Sequence, residues 1–214
     1  MFRKDRNALY CTIAAAAAAS LTQATYGEGF RNPPPGTYSL ARAGGRIAQV
    51  DNAEAAYHNP ANIADLQSTQ IEVSPTFVYL TVEEGSGSET KDPFKYLPNA
   101  FFTTPIIENK LSAGLSVTAP FGLSNEWDQN KGRFIDPNPA TSWRYNAPYF
   151  TELMTINANP SLSWRINDRV SVGAGLDVFW SQLTLKQLYP ALSVTIPGVG
   201  TVTSPETRFK GQGD

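Results

Sequence analysis

The chain has little of what most often carries chemistry. Of its 214 residues, one is cysteine, one is histidine and two are methionine. Cys11 lies inside an N-terminal apolar stretch. Removal of that stretch leaves no disulfide and no thiol chemistry. His58 stands alone, which excludes a His-rich metal centre, and no nucleophile elbow surrounds it. Asp128 to Gly132 has some likeness to a calcium loop, but Pro139 occupies the position of its closing glutamate. Gly173-Ala-Gly175 lacks the third glycine of a dinucleotide motif and sits in a strand pattern. No cofactor, metal site or catalytic group is therefore expected, and no enzyme. Charged residues make up 17% of the chain with a net charge of −2. With no basic cluster, nucleic acid is not an expected partner. No run of about 20 apolar residues exists, so no mature membrane helix is expected. A membrane barrel stays open, because its strands hide their apolarity in alternation.

What is present begins with a targeting segment. Arg3, Lys4 and Arg6 form a basic start, residues 8–21 an apolar stretch too short to span, and Thr22-Gln23-Ala24 a small-residue exit. This order reads as a signal peptide over residues 1–24, cleaved after Ala24, with Gly27 as the next choice. Residues 28–50 are rich in proline and glycine, as in Asn32-Pro33-Pro34-Pro35-Gly36, which prevents a long helix or strand. Residues 53–66 read as two short helical turns divided at Asn59-Pro60, since proline moves the preceding residue out of the α region.

From Gln70 the side chains alternate. Ile71, Val73, Phe77 and Tyr79 share one face of a first strand. In residues 110–119, Leu111, Ala113, Leu115 and Val117 oppose Ser112, Gly114, Ser116 and Thr118. Further on, Met154, Ile156, Ala158, Leu162 and Trp164 oppose Thr155, Asn157, Asn159, Ser161 and Ser163. Val170, Val172, Leu176, Val178 and Trp180 oppose Ser171, Gly173, Gly175, Asp177 and Ser181. Each strand has one apolar face and one of small polar residues. A soluble sandwich alternates in the same way with its apolar face as the core, so periodicity alone leaves both open. Connections favour the barrel. Residues 106–109 and 167–168 are tight turns, while residues 81–98, 120–148 and everything after Gln187 are long. Short and long connections alternate as in an outer-membrane barrel. Tyr79, Tyr149, Phe150, Trp164 and Trp180 fall where interfacial girdles would lie.

Asn59-Pro60-Ala61, preceded by Ala55-Ala56 and followed by a first strand, resembles the end of the N-terminal hatch in the FadL/TodX family of outer-membrane transporters. Residues 99–105 resemble the family's second strand, residues 122–128 the segment after its third, and residues 155–177 its fourth and fifth. The resemblance runs in order over residues 29–186. It implies an all-β chain: the N-terminal part of an antiparallel transmembrane β-barrel with a lumenal hatch. Residues 25–69 would be the hatch and residues 70–214 the first strands and loops. About five strands are expected, fewer than the 8 or so of the smallest single-chain barrels, so the barrel is expected to be incomplete and its sheet open. The chain's last residues are expected in an outer loop. Arg31, Arg42, Arg46, Asp51 and Glu54 would face polar lumen residues.

The resemblance further implies passive transport of long-chain fatty acids or other hydrophobic compounds in the bacterial outer membrane. A hydrophobic, fatty acid-like molecule and outer-membrane lipid would be the partners, and the protein a monomer. Asn59, Pro60 and Ala61 would fix the hatch to the base of the first strand. Ala119, Pro120, Phe121 and Gly122 would kink the third strand into a lateral gate, where a bulky residue at Gly122 should reduce uptake without harming folding. The ligand-binding residues are not identified. A porin, a lipid-modifying barrel enzyme and a secreted β-sandwich are the alternative readings.

Overall fold

The computed structural model describes residues 32–213 apart from Arg46 and Pro139. The expected signal peptide, Cys11 and Arg31 lie outside the described residues.

Residues 32–66 form a compact knot of turns. Helix α1 is Thr37–Ala41, α2 is Ala55–His58, and a 3₁₀ helix spans Pro60–Asp65. Helix α2 stops where expected: Asn59 is extended, with φ −157°, and Pro60 opens the next turn. Val50, Ala55, Ala56, Ile63 and Leu66 form the apolar centre of this hatch. Full burial of a side chain such as Ile63 contributes about 2 kcal/mol.

Glu54 is fully buried in the same knot. It does not face the barrel wall, as the resemblance implied. Its carboxylate accepts hydrogen bonds from Tyr38 N at 2.8 Å, Ser39 N at 3.0 Å and Ser39 Oγ at 2.6 Å. The amides at the start of a five-residue helix have no partner within it, so a carboxylate brought from 15 residues away supplies one.

The remainder is sheet. The strands are β1 Gln70–Val73, β2 Thr76–Tyr79, β3 Glu83–Glu84, β4 Ser88–Glu89, β5 Phe94–Leu97, β6 Asn99–Ile107, β7 Leu111–Thr118 and β8 Gly122–Glu126. They continue with β9 Phe150–Asn167, β10 Val170–Gly175, β11 Val178–Tyr189, β12 Ser193–Ile196, β13 Gly200–Thr203 and β14 Thr207–Gly213. The antiparallel order of the main sheet is β1-β6-β7-β9-β11-β14, with β8 and β10 also paired to β9. β2 and β5 carry on the register of β1 and β6 past Pro75, which has no N–H to give the ladder. β10 and β11 likewise share one register against β9.

Among the described residues the sheet does not close: β1 pairs only with β6 and β14 only with β11. The path holds six strands where about five were expected. The sixth is β14, from residues expected to form an outer loop. A hairpin of β12 and β13 returns the chain so that residues 207–213 pair with 183–189. Short-range alternation in Thr207–Gly213 is too weak to show this, and the partner strand makes it a strand.

Burial separates the barrel from the sandwich. On β7 and β9 the small polar side chains are the buried ones: Ser112, Ser116, Thr118, Thr155, Asn157, Asn159, Ser161 and Ser163. The apolar face points outward, with Leu162 55% exposed and Trp164 52% exposed. A soluble sandwich would reverse this. An apolar outer band around a polar interior is the pattern of a wall whose solvent is lipid.

Tyr79, Trp164 and Trp180 are exposed, as a girdle requires. Tyr149 is not. It is buried with Phe134 and Leu188, and Phe150, Trp127 and Trp143 pack against that cluster. The loop between β8 and β9 folds onto the wall there and covers these side chains.

Candidate functional site

Two places combine chemistry-bearing residues with a break in regular structure. The first joins hatch to wall. Asn59 Oδ1 accepts Ala61 N–H at 3.3 Å, and Asn59 Nδ2 donates to Ile47 O at 3.1 Å. Ala61 O accepts from Ser163 Oγ at 3.0 Å, and Arg165 pairs with Asp65 at 2.7 Å. Asn52 Nδ2 reaches Glu72 on β1 at 2.7 Å. Pro60 and Ala61 thus sit against β9 and β10, while Asn59 bonds within the hatch.

Wall glycines make this approach possible. A Cβ at Gly173 would overlap Ala61 N and the Pro60 carbonyl carbon. One at Gly114 would lie 2.8 Å from Ile63 Cδ1 and 2.9 Å from Ala56 Cβ. Gly173→Val is expected to push the hatch off β10, because its new atoms meet backbone that cannot rotate away. Overpacking of this kind costs about 1–3 kcal/mol. Faster proteolysis within residues 32–66, with the wall intact, is the expected readout; wild-type protection there would refute the contact.

The second place is the break after β7. Pairing with β9 runs to Thr118 opposite Asn157 and resumes at Gly122 opposite Met154. Ala119, Pro120 and Phe121 therefore span the length of Thr155 and Ile156. One extra residue in the outer strand bends it and turns every later side chain to the other face. Gly122 has φ +122°, and a Cβ there would overlap Leu153 O. Gly122 is thus required by the bend itself. A bulky residue at that position would damage the wall, contrary to the expectation from sequence. The two carbonyls freed by the break are held from the hatch: Asn32 Nδ2 donates to Ala119 O at 2.9 Å and Asn32 N to Pro120 O at 3.0 Å.

At the same level β5 and β8 part. β6 is paired to β7 up to Asn99 opposite Thr118. Beyond that point no ladder joins β5 to β8, until Lys91 N donates to Glu126 O at 2.7 Å and Thr90 bridges Trp127. A cavity of about 320 Å³ lies in this gap. It is lined from both faces of the wall, with Leu97, Leu123 and Leu153 from the hatch side and Phe94, Tyr96 and Met154 from the other. The Lys91–Glu126 ion pair at 3.0 Å closes its outer end.

The profile of the family described as outer membrane protein transport protein (OMPP1/FadL/TodX) matches residues 16–212. The chain belongs to this family. A Pseudomonas aeruginosa FadL homologue of known crystal structure is similar to it, with 21% identity and a TM-score of 0.59 over 87% of this chain. The chain spans 47% of the length of that homologue. No curated protein matches the chain by sequence. Membership places this FadL/TodX-family protein in the outer membrane.

Sequence reasoning missed one set of residues in this FadL/TodX-family wall. Leu123 is opposite Leu153, and Leu153 is opposite Leu183. The three form a row on the hatch-side face, two residues above buried Thr155, and Leu153 and Leu183 are exposed. Phe121 and Phe179 rings stand 6.5 Å apart beside it. The wall's inner face thus changes from small and polar at the hatch to apolar above it. The adjacent apolar pair Leu153-Met154, which breaks the alternation, was the available signal.

The outer loops are tied by charge. Glu84 is held down at about 2, first by the Ser86 hydroxyl and then by Arg133. Glu206 is lowered chiefly by the Tyr145 hydroxyl and also by Arg144, 3.0 Å away. Both carboxylates stay ionised at neutral pH.

Proposed function

We propose that this protein carries hydrophobic compounds passively through the outer membrane and releases them sideways into the bilayer. The supporting observation is the cavity at the strand break, with apolar residues of both wall faces around it and the apolar Leu123–Leu153–Leu183 row leading to it. A molecule settling on that row loses apolar surface to protein at about 0.8 kcal/mol per methylene, so a long chain can be held without many polar contacts. From there the gap between β5 and β8 opens toward lipid without passage through the hatch. Ala119, Pro120, Phe121 and Gly122 form the lateral gate, and Asn59, Pro60 and Ala61 hold the hatch below it. The hatch packs on the wall's polar face through Ala61, Ala64 and Asp65, which disfavours the open polar lumen that a general porin needs.

A strain lacking the protein should grow more slowly on one or more hydrophobic carbon sources, supplied singly, and recover on complementation. Unimpaired growth on every such source, with altered uptake of small polar solutes, would favour a porin instead.

The hatch role has its own test. Replacing both Asn59 and Pro60 with alanine removes a capping acceptor and a fixed φ, together worth about 1–2 kcal/mol. The expected outcome is increased leakage of small polar solutes. Unchanged leakage with lost ligand binding would make the motif a ligand contact.

A further inference from the structure

The gap between β5 and β8 is apolar in its walls but carries charge at its edges. Asp92, Lys95, Glu126 and Glu152 all line the cavity. Two of the three carboxylates are matched. Glu126 has Lys91 at 3.0 Å, and Asp92 has Lys95 at 3.5 Å. Lys95 is largely enclosed, its side chain 15% exposed, and it is committed to that pair. Glu152 has no hydrogen bond or ion pair among the described residues. Its cross-strand neighbours are Ser124 and Thr184, which carry no charge, and Lys186 on the same face is drawn over the Phe150 ring at 4.0 Å.

We infer that this passage selects uncharged hydrophobic molecules, and that Glu152 is the residue that turns carboxylates away. The inference rests on the transport reading above. A carboxylate entering the cavity would come close to a second carboxylate with no free cation within the lining. Apolar walls lower the local dielectric, which strengthens that repulsion. An alcohol, an alkane or an aromatic hydrocarbon of the same length keeps all of its apolar contacts and meets no such repulsion. The cargo class is thus a neutral hydrophobe, and an ionised fatty acid is the disfavoured case. Discrimination comes from the rejecting charge, since the apolar contacts are common to both kinds of ligand.

Dodecanol and dodecanoate, equal in chain length, make the test. Initial uptake of each is measured at pH 8 in outer-membrane vesicles carrying the protein, against vesicles lacking it. Wild type is expected to favour dodecanol by about tenfold, the order of effect of one like-charge contact in a partly enclosed site. Glu152→Gln should raise the dodecanoate-to-dodecanol ratio severalfold, and Glu152→Lys more. Ser124→Asp, which adds a carboxylate to the same cavity, should lower the ratio further and covers the case in which the Glu152 variants fail to reach the membrane. Equal uptake of the two probes by wild type, or a ratio that none of the variants moves, overturns charge selection and leaves transport standing. Uptake of neither probe above the control overturns the transport reading and this inference with it.

Discussion

Replacing Glu54 with alanine is expected to release the hatch from within. Glu54 is fully buried and takes three hydrogen bonds, two from the backbone of helix α1 and one from Ser39 Oγ. Removal leaves the Tyr38 and Ser39 amides and the Ser39 hydroxyl short of an acceptor. Stranding a buried polar group costs about 1–3 kcal/mol, so the two buried groups on Ser39 alone come to roughly 2–6 kcal/mol before relaxation. Residues 32–66 have a small apolar centre of their own and cannot absorb such a loss. Loosening should spread to the strand break, because Asn32 from the same knot holds Ala119 O and Pro120 O. The variant should reach the outer membrane and admit small polar antibiotics that wild type excludes. Cleavage by external protease within the hatch is the second readout. Glu54→Gln keeps one acceptor oxygen and should fall between. Wild-type exclusion and protection in Glu54→Ala would mean that the hatch is held by its wall contacts alone.

Filling the gap between β5 and β8 should have an effect of similar size on uptake with none on the hatch. Ser124 lines the cavity, pairs across to Glu152 and belongs to an ordinary ladder. Unlike Gly122, it has no backbone angle that excludes a side chain. Ser124→Trp places a large ring in a space of about 320 Å³. Uptake of hydrophobic carbon sources is expected to fall by about tenfold, the change that roughly 1.4 kcal/mol of barrier produces. Exclusion of polar antibiotics should stay normal. Normal uptake in a correctly inserted Ser124→Trp protein would mean that cargo leaves by another route. Gly122→Phe is the instructive contrast: poor assembly is expected there, because its Cβ would overlap Leu153 O.

Much of the architecture was legible in the residue order, for identifiable reasons. Alternation of side chains is a local property of a strand, so Leu111 to Thr118 and Met154 to Ser163 declared their two faces without any partner. Asn59-Pro60 marked a break because proline acts on its immediate neighbour. The tight turns near Asn109 and Asp168 were equally local, and Asn109 does adopt φ +55°. Which face is inside was not local. Ser, Thr and Asn on one face and Leu, Ile and Trp on the other suit two opposite solvents, and only packing of the hatch on the polar face decided between them. Long-range pairing likewise made Thr207–Gly213 a strand and drew Glu54 into the hatch. The bend at Ala119 to Phe121 shows the division most clearly. Pro120 and Gly122 announced an irregularity, but the one-residue mismatch with β9 exists only once β8 has found Met154 and Leu153. That mismatch turns Leu123 inward beside Leu153 and Leu183. The composition of a strand is set residue by residue, whereas its register is set by the neighbour it pairs with, and at this wall the register decides which side chains a passing molecule meets.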